Sequence, residues 1–108
     1  PPPTMEPVIL PTERVLDASG TAATLTEIVQ KEFAEGEYQE AAQLLSNLLS
    51  VTLAPELAAQ ARFYLGQSKY FMGEYRNAFL SLLLAQEEYH TEVSPWMNHI
   101  LRILGETG

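Results

Sequence analysis

The residues best suited to acid–base or metal chemistry are the two histidines, His90 and His99. Glu87 precedes His90 by three residues, a spacing that places a carboxylate and an imidazole on the same side of a helix. A di-iron bundle needs two such pairs and further carboxylates, and the sequence contains one pair. We therefore interpret Glu87 and His90 as a solvated helix end, and His99, which stands beside apolar positions, as a partly buried packing residue.

Other motifs that carry chemistry do not occur in the sequence. It has no Gly-x-Ser-x-Gly nucleophile motif, no Gly-rich phosphate loop and no cysteine, which excludes thiol catalysis and Cys-ligated zinc. Four glutamates crowd one stretch without the alternation and central glycine of a calcium loop, and we expect them to form a solvated surface: Glu32, Glu35, Glu37 and Glu40. The sequence thus predicts no catalytic residue, no metal site and no cofactor, so we expect a protein that is not an enzyme.

The charge of the chain limits its partners. The formal net charge is −8, and a strongly acidic surface repels both the phosphates of nucleic acids and anionic lipids. No apolar run approaches the roughly 18–20 residues that span a bilayer. We therefore expect neither nucleic-acid binding nor insertion into a membrane.

Apolar residues recur at helical spacing and predict an all-α domain. The predicted helices cover residues 21–36, 37–51, 55–73, 74–89 and 95–104. Thr24 with Glu27 fits a capping box, although Ser19 or Thr21 could also begin the first helix, and Ser94 before Pro95 fits an N-cap of the last helix. Gly105 is predicted to end that last helix.

We expect residues 1–18 to form a Pro-rich extended arm that precedes a helical domain of residues 19–108. Proline fixes φ and lacks an N–H, so the stretch "PPPTMEPVILP" favours an extended, polyproline-like backbone. Two interpretations stay open. The arm is a linker, or it is a docking segment whose apolar residues Val8, Ile9 and Leu10 lie in a groove of this domain or of a neighbour.

A short sequence motif occurs twice, as "GEYQEAAQLL" from Gly36 and as "GEYRNAFLSL" from Gly73. In each copy we expect the glycine to make the turn between two antiparallel helices, the tyrosine to pack its ring back onto the first helix, and the alanine to lie where the helix axes approach closely. The residues concerned are Gly36, Tyr38 and Ala41 in the first copy, and Gly73, Tyr75 and Ala78 in the second.

The stretch from Ala61 to Ala85 combines small, aromatic and glycine residues in a recognisable order: Ala61, Phe63, Tyr64, Leu65, Gly66, Tyr70, Gly73, Tyr75, Ala78, Leu82 and Ala85. In these residues it resembles the tetratricopeptide repeat (TPR) family, in the form found in bacterial cell-envelope proteins of the Tol–Pal-associated and outer-membrane-assembly lipoprotein types. The first copy is weaker, since Ile28 and Val29 replace Leu65 and Gly66. The resemblance implies two antiparallel hairpins of TPR type followed by a C-terminal helix, which either caps the fourth helix or begins a third repeat.

The resemblance also implies a concave face that binds partners. Its candidate residues are Gln60, Phe63, Gln67, Tyr70 and Phe71, with Thr26, Gln30 and Phe33 as their counterparts in the first unit. Aromatic and amide side chains suit the binding of a peptide, because they bury area and offer hydrogen bonds. The alternative, that Phe63, Tyr70 and Phe71 pack in the core, stays open. The sequence lacks a repeated basic clamp, which disfavours a C-terminal carboxylate as the ligand.

We therefore expect a protein–protein interaction module, a scaffold or adaptor without catalysis, that binds another protein or peptide. Self-association through the apolar side of the fourth or fifth helix is a further expectation. The alternatives are a helical accessory domain of a larger enzyme or of a secretion or envelope assembly, and a carrier of a small apolar ligand. The resemblance favours the bacterial periplasm or cell envelope, with the cytoplasm left open, and the sequence does not identify the partner or the pathway.

Overall fold

The computed structural model describes residues 5–11 and 20–107 of the chain. Within these ranges it contains helices and no strand, so the predicted all-α class is confirmed. The helices are α1 (Thr21–Ile28), which continues as a π-helical turn over Val29–Phe33, α2 (Tyr38–Leu48), α3 (Pro55–Phe71) and α4 (Tyr75–Thr107). Each helix packs against the next one along the chain, and α3 lies between α2 and α4. The finer arrangement, hairpins of TPR type, stays a prediction.

The two glycine turns have the same hydrogen bonds. Gly36 and Gly73 adopt the left-handed conformation, with φ of 77° and 80°. In both turns the glycine N–H and the following N–H bond back to carbonyls of the last helical turn, the motif that commonly ends a helix at a glycine. The bonds are Gly36 to Phe33 (3.1 Å) and Glu37 to Glu32 (2.8 Å), then Gly73 to Tyr70 (3.0 Å) and Glu74 to Lys69 (2.9 Å).

An aromatic pair braces each of these turns. The rings of Phe33 and Tyr38 meet edge to face with centroids 5.8 Å apart, and those of Tyr70 and Tyr75 do so at 5.6 Å. Such contacts add about 0.5–1.5 kcal/mol beyond the area that they bury. The tyrosine that follows each glycine turn therefore holds the helix that it begins against the helix before the turn.

The core has two parts that share α3. One part lies between α1, α2 and α3 and includes Phe33, Leu45 and Tyr64. The other lies between α3 and α4 and includes Phe63 and Trp96. α3 therefore contributes side chains to both parts.

The N-caps predicted at Thr24 and Ser94 are wrong, whereas Thr21, one of the two alternative starts, does begin α1, and the other, Ser19, lies outside the described residues. Thr24 lies inside α1, where its hydroxyl donates to the Gly20 carbonyl at 3.2 Å. Ser94 lies inside α4, where its hydroxyl donates to the His90 carbonyl at 2.6 Å. A serine or threonine within a helix satisfies its hydroxyl on the carbonyl four residues earlier, so the residue type alone does not mark a helix start.

The boundaries predicted for the last helix are also wrong. A single non-helical residue, Tyr89 (φ −129°, ψ 43°), kinks α4, and the helix resumes at once and continues through Pro95 and Gly105 to Thr107. Pro95 removes an N–H that would bond to the Thr91 carbonyl, and Thr91 is exposed, so water can solvate that carbonyl instead. Among the described residues, no helix combines the length and the apolar character that crossing a bilayer requires.

Candidate functional site: the α3 groove

The N-terminal segment of residues 5–11, called here the docked segment, lies along α3. Its main chain bonds to three side chains, those of Tyr64, Gln67 and Tyr70. These residues are three apart and therefore share one face of the helix. Met5 lies at Tyr70 and Leu10 at Tyr64, so the segment runs antiparallel to α3. We call this face, with Gln30 and Gln60 at its rim, the α3 groove.

Four hydrogen bonds hold the docked segment. The Met5 N–H donates to the Tyr70 hydroxyl at 3.3 Å, and the Leu10 N–H donates to the Tyr64 hydroxyl at 2.8 Å. Between them, Gln67 bonds both main-chain groups of Val8: its Oε1 accepts from the Val8 N–H at 2.7 Å, and its Nε2 donates to the Val8 carbonyl at 3.0 Å. The amide of Gln67 thus pairs with the segment as a neighbouring β-strand would.

The amide of Gln67 depends on this pairing for its hydrogen bonds, because the residue is buried. Its side chain is 0% exposed, which is unusual for an amide. A buried polar group left without a partner costs about 1–3 kcal/mol. Val8 supplies the partners of the Gln67 amide, so the docked segment and Gln67 stabilise each other.

Tyr70 links the docked segment to the last part of α4. Its hydroxyl, which accepts from Met5, lies 2.9 Å from Nε2 of His99. The hydroxyl proton can therefore donate to His99 when that imidazole carries its own proton on Nδ1. His99 is buried, 4% exposed, and its ring also meets the Tyr70 ring edge to face. His99 positions a groove residue, and this contact is the role that the structure gives it.

The side chains of the docked segment divide into two kinds. Leu10 is half-buried and packs against both parts of the core, and Met5, also half-buried, packs against the part between α3 and α4. Val8 and Ile9 are exposed, at 38% and 53%. The groove therefore contacts the main chain and two apolar side chains, and it leaves the side chains between them in solvent.

Open hollows lie at both ends of the docked segment, and their charges differ. Beyond Met5 is a hollow of about 650 Å³ whose lining includes His90 and Arg102. At Pro11 is a hollow of about 250 Å³ that three carboxylates line, those of Glu56, Glu88 and Glu92. A longer segment in the groove would thus pass from the side of the positively charged Arg102 to an acidic side.

The predicted partner-binding residues fall into three places. Gln67 and Tyr70 contact the docked segment, and Gln30, Gln60 and Thr26 line a cavity of about 60 Å³ between that segment and α1. Phe33 and Phe63 are 1% and 0% exposed and belong to the core. Phe71 is half-buried and stacks on Tyr38 with ring centroids 4.6 Å apart.

Tyr64 is a groove residue that is not among the predicted partner-binding residues. The sequence places it in the repeat signature, and its ring packs in the core against Phe33, with ring centroids 5.1 Å apart. Its hydroxyl reaches the groove as well. Its position three residues before Gln67 and six before Tyr70 was the available signal, because that spacing predicts one row of polar tips along α3.

Burial also changes the acidity of Tyr64. Loss of solvent raises its pKa above the usual value of 10.0, the hydrogen bond from the Leu10 main chain lowers it, and the nearby Tyr89 raises it. Burial alone raises the pKa of Tyr38. Tyr64 thus stays a neutral hydroxyl while it accepts the Leu10 N–H. No group of three His, Cys, Asp or Glu residues in the described part of the chain is arranged to hold a metal ion.

No protein-family model, curated protein or solved structure matches the chain. The resemblance to TPR proteins and the cell-envelope location that it implies therefore stay predictions. The class of molecule that the geometry itself defines is an all-α domain with a groove that holds an extended polypeptide.

Proposed function

We propose that this chain is a non-catalytic protein–protein interaction module and that its α3 groove binds an extended segment of a partner protein. The observation that carries the proposal is the docked segment. It shows a polypeptide held in the groove by its main chain, through Tyr64, Gln67 and Tyr70. A groove that contacts main-chain groups can accept more than one sequence, as strand-pairing recognition does.

The carrier of a small apolar ligand has less support. The cavity between the docked segment and α1 has about 60 Å³, room for one or two water molecules at about 30 Å³ each. Known ligand pockets are several times larger. Of the larger hollows, the one beyond Met5 is open to solvent, and the one at Pro11 is lined by three carboxylates, so neither suits an apolar molecule. An accessory domain of a larger assembly would use the same groove, so that alternative differs from our proposal in context and not in mechanism.

Site-directed photocrosslinking in cells that produce the protein tests this function. A benzophenone amino acid replaces Gln30, which is exposed at the rim of the groove, and in the matched control it replaces Gln43, which is exposed on α2. We expect crosslinks from position 30 to map, by mass spectrometry, to one contiguous segment of a partner. Crosslinking from position 43 should not yield that segment.

The added change Gln67→Met separates groove binding from chance proximity. It keeps the length of the side chain and removes both of its hydrogen bonds to a bound main chain. Because Gln67→Met also weakens the hold on the chain's own segment, the comparison is made in a chain whose segment is released by Val8→Pro, and there we expect Gln67→Met to abolish the crosslink from position 30. If the same segment is captured from positions 30 and 43 alike, or if Gln67→Met changes nothing in the released chain, the groove is not the binding site.

A further inference from the structure

We propose, building on the proposed function, that the groove selects a partner segment of the pattern apolar–x–Pro–x–x–apolar–Pro. The chain's own residues 5–11, Met5-Glu6-Pro7-Val8-Ile9-Leu10-Pro11, fit this pattern and act as its intramolecular competitor. The pattern is read from the docked segment itself, position by position.

Hydrogen bonding fixes which positions need an N–H. Tyr70, Gln67 and Tyr64 accept from the first, fourth and sixth residues of the pattern, which are Met5, Val8 and Leu10. Proline is excluded at these three positions because it has no N–H to donate. The fourth residue also offers its carbonyl to Gln67, so it is the residue that the groove holds most completely.

Burial fixes which positions need an apolar side chain. The side chains of the first and sixth residues, Met5 and Leu10, pack against the core, whereas those of the fourth and fifth, Val8 and Ile9, are exposed. An aspartate at the sixth position would place a carboxylate against Tyr64 and Tyr89, whose rings belong to these apolar surroundings. An aspartate at the fifth position would stay in solvent.

The prolines keep the segment extended before it binds. Pro7 occupies a position from which the groove accepts no hydrogen bond, and it disfavours a helical conformation at Glu6, as Pro11 does at Leu10. A segment that is already extended loses less conformational entropy on binding. The pattern therefore combines two anchors, three donors and a stiff backbone.

The docked segment must compete with any partner for this groove. A segment joined to its site by a short linker has an effective concentration in the millimolar range. A partner peptide in solution therefore binds the intact chain more weakly than it binds a chain whose own segment has been released. The groove is then closed to weak ligands and open to those that outcompete residues 5–11.

The release variant for the test is the full chain with Val8→Pro and Leu10→Asp. Val8→Pro removes the donor to Gln67, and Leu10→Asp removes the apolar anchor. The matched control is Ile9→Asp, which changes an exposed residue of the same segment. The probe is a capped, fluorescein-labelled peptide of residues 4–11, TMEPVILP, and binding is followed by fluorescence anisotropy, with the fold of each variant checked by circular dichroism.

We expect the probe to bind the release variant at least about tenfold more tightly than the wild-type and Ile9→Asp chains, which is the effect of removing a competitor at millimolar effective concentration when the segment's own dissociation constant is about 0.1 mM or below. Adding Gln67→Met to the release variant should weaken binding about tenfold. Peptides with Leu10→Asp or Val8→Pro should lose binding, and a peptide with Ile9→Asp should keep it. Val8→Pro alone serves as the release variant if the double variant does not fold.

Three results would overturn the proposal. If a folded release variant does not bind the probe but binds a scrambled peptide in a Gln67-dependent manner, the groove function survives and the pattern is wrong. If it binds neither peptide, the proposed function is lost with the pattern. If sedimentation shows a wild-type dimer that the release variant cannot form, the natural occupant is the segment of a second copy rather than that of a partner.

Discussion

Gly66 and Leu82 lie so close together that a Cβ atom on Gly66 would be 2.7 Å from Cγ of Leu82. The carbonyl of Ala78 would be 3.3 Å from the same atom. Leu82 and Ala78 are both 0% exposed, so neither has open space into which to move. The helices α3 and α4 therefore meet at a point that admits no side chain on α3, and the groove residue Gln67 is the next residue along the chain.

Gly66→Ala should destabilise the protein. Alanine favours a helix over glycine by about 1 kcal/mol, but overpacking of a tight core costs about 1–3 kcal/mol. We expect a net loss of up to about 2 kcal/mol in the free energy of unfolding, measured by urea denaturation, and a stability about 1–3 kcal/mol below that of a control with the same helix preference and no overpacking. The matched control is Gly105→Ala, because a Cβ at Gly105 has no atom within 4 Å. The close approach is not as described if the two variants are equally stable.

The position of the first unit that corresponds to Gly66 shows what the sequence could and could not predict. The repeated motif predicts turns at Gly36 and Gly73, and both glycines have positive φ in the structure. Val29 stands where the second unit has Gly66, and at Val29 the first helix changes from α-helical to π-helical. Apolar periodicity does not distinguish these two helix types, since both place such residues on one face, so the sequence predicted one uninterrupted helix.

Ala41 and Ala78 should not tolerate a larger side chain. Both residues are 0% exposed, and each copy of the repeated motif contains one of them. We expect Ala41→Leu and Ala78→Leu each to lower the free energy of unfolding by about 1–3 kcal/mol, because the added atoms must displace packed neighbours. Ala23→Leu, an exposed position of α1, is the control and should stay within about 0.5 kcal/mol of wild type. An unchanged thermal midpoint in either core variant would contradict the close packing.

Hydrogen exchange should reveal the pairing of Gln67 with Val8. We expect the amides of Val8 and Leu10 to exchange slowly and that of Ile9 to exchange fast, because the structure gives the Ile9 N–H no acceptor among the described residues. Gln67→Met should speed exchange at Val8 most, since it removes that amide's acceptor. Gln43→Met, on the exposed face of α2, should leave all three rates unchanged. Equal rates at Val8 and Ile9 in the wild-type chain would show that the segment is not docked.

The sequence predicts part of the groove but does not predict that residues 5–11 dock in it. Composition predicted an extended arm and left open whether it was a linker or a docking segment. The resemblance to TPR repeats implies that Gln67 and Tyr70 share one face of α3, but nothing in the pattern specifies that Val8 satisfies Gln67. Such a contact joins residues far apart in sequence, and it follows from the fold rather than from local preference.

Alkaline pH should destabilise the protein in part through Tyr64. Burial raises the pKa of Tyr64 above 10.0, so the folded chain keeps a proton that the unfolded chain releases. The unfolded state then binds fewer protons, and the free energy of unfolding falls as the pH rises above about 10. Tyr64→Phe should lower stability at neutral pH by about 0.5–1.5 kcal/mol through its lost hydrogen bond, and it should show a shallower decline above pH 10. Urea denaturation at several pH values measures both effects, and parallel curves for the two proteins would contradict the shift.

Exposed leucines on α4 are the basis for the prediction of self-association. Leu80, Leu83, Leu84 and Leu101 are between 45% and 63% exposed, an unusual concentration of apolar surface for one helix. We expect the mass from light scattering to rise with the concentration of the wild-type chain and to rise less for Leu80→Gln with Leu84→Gln. Because both side chains are exposed, the double variant should keep the thermal midpoint of wild type. The control is Val51→Gln, an exposed apolar residue outside α4, which should associate as wild type does. A wild-type chain that stays monomeric at millimolar concentration would refute self-association and leave the leucines as surface for another protein.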